Sequence, residues 1–192
     1  KDFPSEHDKY GGWAKRMGEL QVEAYSKEYN FNGLHVVRPA NIYGPHLNFN
    51  PKNSMVVASL IKRIIDNENP LIVWGDGSNV RDFVFCEDVA NSMIKVVQKN
   101  IVKPINIGSG KGTTIKKLLL TILNSKYISN KSKIIFDTKK QSGDKKRVLD
   151  TKLAKKFKIN NSTSLKIGID KTIKWYLNNK DQLNKKYNNF SK

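Results

Sequence analysis

The sequence predicts an α/β protein, and three observations carry that reading. Short apolar runs alternate with longer segments whose apolar residues recur at helical spacing. Clusters of Gly, Pro and Asn stand between them as turn signals. No repeat and no obvious linker divides the 192 residues, a length that suffices for one domain or slightly more with a core burying about 70% of the unfolded surface. Strands alternating with helices belong to layered α/β architectures.

Residues 13–29, WAKRMGELQVEAYSKEY, place Trp13, Met17, Leu20 and Tyr25 near one face with charges between them, which predicts a helix. LHVVRP is a short strand stopped by Pro39, and NIYGPHLNFNP is expected as a loop. Residues 53–66 read as a helix, Leu71 to Trp74 as a strand, GDGSN as a turn, and Val80 to Phe85 as a third extended piece. Asp88 is expected to cap the next helix, with Val89, Met93, Val96 and Val97 on its apolar side. Pro104 to Ile107 is a strand, Thr113 or Thr114 caps a helix through Leu123, and Ile134 to Phe136 is strand-like. The last helix is expected from Leu165 to Asn178.

Composition narrows the classes. Hydrophobic residues at 38%, aromatics at 9% and a mean hydropathy of −0.56 fit a globular chain. No apolar run approaches the roughly 20 residues of a membrane span. Cys86 is the single cysteine, which excludes an intramolecular disulfide framework; within FVFCEDV it reads as a small buried hydrophobe rather than a nucleophile. His7, His35 and His46 form no i,i+4 pair, so no metal site is expected. The opening KDFPSEHDKY lacks a basic-then-apolar signal pattern, and a cytoplasmic location is expected.

The net charge of +18 arises wholly after residue 100, where 23 basic and 5 acidic residues follow a balanced 12 and 12. One reading is an anionic partner on that half: a phosphate-bearing ligand, nucleic acid or a membrane surface. The other is a general bias toward Lys, Asn and Ile, and the absence of Arg-Gly-aromatic interleaving weighs against nucleic acid. NIGSGKGTT at 106–114 fits neither Gly-rich phosphate template and reads as a turn that ends a strand and caps a helix. No strand, Gly-rich turn and helix open the sequence, so the chain is expected to be the C-terminal part of a longer protein.

Four segments then carry a resemblance: YGGWAKRMGE (10–19), VVRPANIYGPHLNFNPKNS (36–54), VWGDGSNVRDFVFCEDVA (73–90) and INIGSG (105–110). Together they resemble the extended short-chain dehydrogenase/reductase family, the NAD-dependent epimerases and dehydratases of nucleotide-sugars, most closely its GDP-fucose synthase branch. With LDTKLAKKF and TSLKIGIDKTIKWY the likeness extends over nearly the whole chain. It implies the C-terminal part of a doubly wound Rossmann-like domain plus a smaller substrate-binding lobe. Residues 1–45 and 80–110 would be the remainder of the dinucleotide-binding domain, and 46–79 and 111–192 the nucleotide-sugar lobe. The nucleotide-binding Gly motif would precede Lys1, and the chain alone would be inactive.

The resemblance also implies roles. Lys15 matches the family Lys that holds the nicotinamide ribose of NAD or NADP and lowers the pKa of a Tyr four residues earlier. Gly11 stands at that place, and Tyr10 is five residues from Lys15, about 140° around a regular helix. Two arrangements are open: the Gly11-Gly12 pair lets Tyr10 swing into place, or the Tyr is lost. Pro39, Ala40, Asn41 and Ile42 would line the nicotinamide side, with Asn41 also reaching substrate phosphates; the alternative is a strand-to-loop bend. Arg81 would grip the nucleotide diphosphate, its alternative being an ion pair with Asp82 or Asp88. Arg63 matches a second diphosphate ligand or a solvated helix end, Trp74 a substrate contact or a core residue, and Arg147 adds positive potential. Met55 replaces the branch's acid/base His, and a thioether moves no proton. The function so implied is hydride transfer at a nucleotide-sugar carbon, C4, in a homodimer built on the Trp13 helix, the alternative for that helix being that its apolar residues face only the sheet. The competing expectation is a catalytically degenerate protein that binds an anionic ligand or nucleic acid.

Overall fold

The computed structural model describes residues 4, 8–129, 132–140 and 143–186; His7 and the C-terminal residues 187–192 lie outside them. Six helices are described: α1 (Lys9–Glu28), α2 (Val56–Ile65), α3 (Cys86–Gln98), α4 (Ile115–Leu123), α5 (Lys152–Lys156) and α6 (Leu165–Lys186). The strands among these residues are β1 (Val37–Pro39), β2 (Asn41–Tyr43), β3 (Leu71–Trp74), β4 (Val80–Phe85), β5 (Ile105–Ile107), β6 (Gly112–Thr114), β7 (Ile134–Asp137) and β8 (Lys146–Arg147).

β1 pairs in parallel with β5, and β3 in parallel with β7. β4 is the hub of the third sheet. Its C-terminal half lies parallel to β2, and its N-terminal half pairs antiparallel with β6 and parallel with β8. Successive side chains of a strand point to opposite faces, and this alternation makes β4 and β2 a wall between two cores. Phe83, Phe85 and Tyr43 enter the larger one with α2, α4 and α6, while Val84 and Ile42 face the smaller one with Val89, Val96, Ile105 and Ile107.

Several expectations are corrected. NIYGPHLNFNP begins as a strand, because the ladder to β4 captures Asn41–Tyr43 immediately after Ala40. Asp88 does not cap α3: Phe85 occupies the N-cap, and the Asp88 carboxylate instead accepts the Thr163 N–H at 3.0 Å. On α3 Met93 and Val97 face outward, and Val89 and Val96 alone of the four expected positions are buried. α6 continues past Asn178 to Lys186, and β8 and α5 have no counterpart in the sequence reading. Thr114, by contrast, caps α4 through the Lys117 N–H at 3.0 Å. No helix among the described residues is long and apolar enough to cross a membrane.

The Gly-rich segment after β5 is a receptor for a carboxylate of the chain itself. Buried Asp82 accepts the N–H groups of Ser109 at 2.9 Å and Gly110 at 3.1 Å, and the Ser109 hydroxyl at 2.5 Å. A Cβ on Gly108 would stand 2.5 Å from Asp82 Oδ2, and Gly110 has φ +66°, so both positions require glycine.

Candidate functional site

An open cleft of about 1130 Å³ lies between α2, β3 and the β2–β4 sheet. Its size suits a ligand larger than a single sugar. β3 alternates, burying Leu71 and Val73 and turning Ile72 and Trp74 outward, so Trp74 stands 63% exposed in the cleft rather than in a core. Lys140, just beyond β7, sets its Nζ 5.9 Å from the Trp74 ring centroid, within cation–π range. α2 buries Val57, Ala58, Leu60, Ile61 and Ile64 and thereby presents Ser59 and Arg63 to the cleft, with Met55 at its N-cap. Asn41 and Arg81 close the third side.

Arg81 makes no ion pair with Asp82 or Asp88, whose carboxylates are engaged by backbone N–H groups elsewhere. Its Nη1 donates to the carbonyl of Asp144 at 2.6 Å and of Val80 at 3.0 Å. Burial and the neighbouring Arg147 guanidinium lower its pKa, yet a guanidinium stays charged at any physiological pH. The pairing of β4 with β8 sets Arg147 opposite Arg81 in register. Arg147 itself donates to the Asp144 carboxylate through Nε at 3.1 Å and through Nη2. Arg63 is not a solvated helix end: it forms a bidentate pair with Glu68 and donates to the Ile72 carbonyl at 2.6 Å. Asn41 donates from Nδ2 to the Asp82 carbonyl at 2.8 Å.

The remaining candidates lie elsewhere, along α1 and the end of β1. Glu19 of α1 accepts from Arg38 of β1 through Nε at 2.6 Å and Nη2 at 2.5 Å, which holds the Glu19 carboxyl below its usual pKa. Glu23, Ser26 and Val36 share a groove, so α1 runs back along β1. Lys15 is one turn before Glu19 on the same face of α1. At Ala40 the chain leaves β5 for β4, and the Ala40 N–H donates to the Ile107 carbonyl at 2.8 Å. Pro39 is exposed, and Ala40 and Ile42 are half-buried.

Tyr10 does not join Lys15. α1 is regular from Lys9 onward, so the Gly11-Gly12 pair makes no detour, and the Tyr10 side chain is 88% exposed. Trp13, Met17 and Leu20 are also exposed rather than packed on a sheet. Cys86 is half-buried with its pKa raised by that burial. Sequence reasoning missed Lys140 and Glu68. Lys140 reaches Trp74 from 66 residues away, and Glu68 lies five residues after Arg63, beyond the end of α2, where helical spacing flags nothing.

Comparison with known proteins adds four findings. Residues 5–108 match the family described as NAD dependent epimerase/dehydratase. The GDP-L-fucose synthase of Escherichia coli strain K12 is 31% identical over 183 residues, covering 88% of this chain and 56% of that protein. The structure of UDP-glucose 4-epimerase from Thermotoga maritima with UDP-glucose is 27% identical with a TM-score of 0.73, over 93% of this chain and 58% of that one. The GDP-L-fucose synthetase of Naegleria fowleri bound to NADP shares the fold at a TM-score of 0.81 and 24% identity, over 93% and 59% of the two chains. The chain thus spans somewhat over half the length of the proteins it matches.

Proposed function

The chain belongs to the NAD dependent epimerase/dehydratase family, and on that premise we propose that its cleft binds the diphosphate of a nucleotide-sugar on which the whole protein performs hydride transfer at C4. The observation that carries this reading is the placement of Arg81, a charged fork whose hydrogen bonds go to main-chain carbonyls, in one cleft with the exposed Trp74 ring and Lys140. A guanidinium fork matches adjacent phosphate oxygens, and an aromatic face with a cation beside it suits a nucleotide or sugar ring. In this reading 46–79 and 111–192 form the nucleotide-sugar lobe and 1–45 with 80–110 the dinucleotide side; the β2–β4 wall separates two cores, the smaller of which also takes Ala154 and Ile159 from the 111–192 segment.

The residues of the second region fit NAD or NADP in part. Lys15 would hold ribose hydroxyls, and Pro39 to Ile42 would face the nicotinamide, in keeping with ligand binding at the carboxyl ends of parallel strands. The nicotinamide, when bound, supplies the hydride exchange. Tyr10 does not fit the proton-transfer role, being about 140° around α1 from Lys15. Met55, exposed in the cleft wall, carries no exchangeable proton, which favours a single hydride exchange over a double epimerisation. The exposed Trp13, Met17 and Leu20 of α1 form the surface on which a second copy would pack.

The orientation of Tyr10 favours a second reading, a binding protein without turnover. Calorimetric titration with a GDP-sugar and a GDP-sugar-dependent absorbance change at the nicotinamide band, measured on the whole protein with NADP, separate the two. The first reading expects both signals, and binding without turnover supports the second. Arg81→Ala is expected to weaken GDP-sugar binding by about 2–4 kcal/mol; unchanged affinity would remove Arg81 from the site.

A further inference from the structure

The cations of the cleft fall into two groups. On the α2 side each is matched by a carboxylate of the same wall. Lys62 Nζ donates to Asp66 Oδ2 at 2.6 Å. Arg63 donates through Nε to Glu68 Oε2 at 2.7 Å and through Nη2 to Glu68 Oε1, completing a bidentate fork. On the facing side Arg81 gives its Nη1 to carbonyls only, and Lys140 stands over Trp74.

Glu68 is fastened at both ends. Its own N–H donates to the Arg63 carbonyl at 3.0 Å, its carboxylate accepts the Arg63 fork, and Arg63 is held in turn by a bond to the Ile72 carbonyl at 2.6 Å. The main-chain bond and the Arg63 to Ile72 contact already join the end of α2 to β3 without the carboxylate. What the carboxylate adds is a negative charge in the cleft lining, seated on the guanidinium edge that a phosphate would use.

We propose that Glu68 is a specificity-determining residue: a built-in competitor that withholds Arg63 from a diphosphate, leaving the Arg81 and Lys140 side to hold it. This rests on the nucleotide-sugar reading of the cleft. A dianion entering the cleft either leaves the Arg63–Glu68 fork closed and forgoes that cation, or opens it and displaces a bound carboxylate. In both cases affinity is lower than three free cations would set.

The test is calorimetric titration of the 192-residue chain with inorganic pyrophosphate at low ionic strength, counting only binding that Arg81→Ala abolishes. Glu68→Gln is expected to tighten this binding about tenfold, through Arg63. In an Arg63→Met background the same substitution is expected to change it less than about twofold. Equal tightening with and without Arg63 would overturn the proposal in favour of a general charge effect. Unchanged or weaker binding in Glu68→Gln would reduce the pair to a structural staple. Should Glu68→Gln fail to fold, Glu68→Asp keeps the charge but shortens the reach; it is expected to tighten binding severalfold, and no change there overturns the inference equally. Absence of any Arg81-dependent binding overturns the nucleotide-sugar reading and the inference with it, whereas such binding indifferent to Glu68 overturns the inference alone.

Discussion

Two helices built on similar amphipathic spacing meet different fates in this molecule. α2 has 10 residues and buries five of them in the larger core, under the floor of the cleft. α1 has 20 residues and buries none, and its Trp13, Met17 and Leu20 face outward. One helix is held by packing. The other leans on β1 through the Glu19–Arg38 pair. The difference teaches that periodic apolar residues mark a helix but not its partner. Where apolar burial anchors an element, single side chains carry much of the stability; where surface pairs do, little is lost by removing one.

Four substitutions break or sharpen this contrast in urea unfolding of the chain. The largest effect is expected at Ile64 of α2, fully buried: Ile64→Ala is expected to cost about 3–4 kcal/mol, through lost burial and the cavity left behind. Asp82→Ala, in the wall between the cores, is expected to cost about 2–3 kcal/mol by stranding the N–H groups of Ser109 and Gly110. Arg38→Met is expected to cost no more than about 1 kcal/mol, because the pair is partly exposed. Its cost also depends on pH. Arg38 holds the folded Glu19 below its ordinary value of 4.5, so the pair's contribution is present above that value and is lost as pH falls through the lowered one. An Arg38→Met cost that persists at lower pH would assign it to packing of the aliphatic stem. Leu20→Ala on α1 is expected to stay within about 0.5 kcal/mol; a loss as large as that of Ile64→Ala would mean that α1 is anchored by burial after all.

Much of the secondary structure was legible locally. β3 begins after Pro70 and ends before Gly75, β4 begins where the GDGSN turn ends, and Thr114 caps the helix it precedes. β2 was not legible, since Asn41 to Tyr43 have no strand pattern of their own and are extended only because β4 lies beside them. Asp88 looked like a cap by position and serves a segment 75 residues away. Of the candidate site, Arg81, Arg63, Trp74 and Asn41 converge on one cleft, while Lys15 lies on α1 and Pro39 and Ala40 lie where β1 passes into β2. Tyr10 joins neither the cleft nor Lys15, because helical geometry is indifferent to which residue the chemistry needs.

By itself the sequence determined the alternation of strands and helices, the family and the charged and aromatic side chains available for a site. These are carried by neighbours within a few residues, where backbone periodicity and capping act. The tertiary structure alone decided which guanidinium bonds to carbonyls instead of carboxylates, which turns serve Asp82, and which amphipathic helix is buried. Those outcomes depend on partners such as Arg81 with Asp144, Asp82 with Ser109 and Lys140 with Trp74. Only the folded path brings such distant residues within hydrogen-bonding or ring-contact distance.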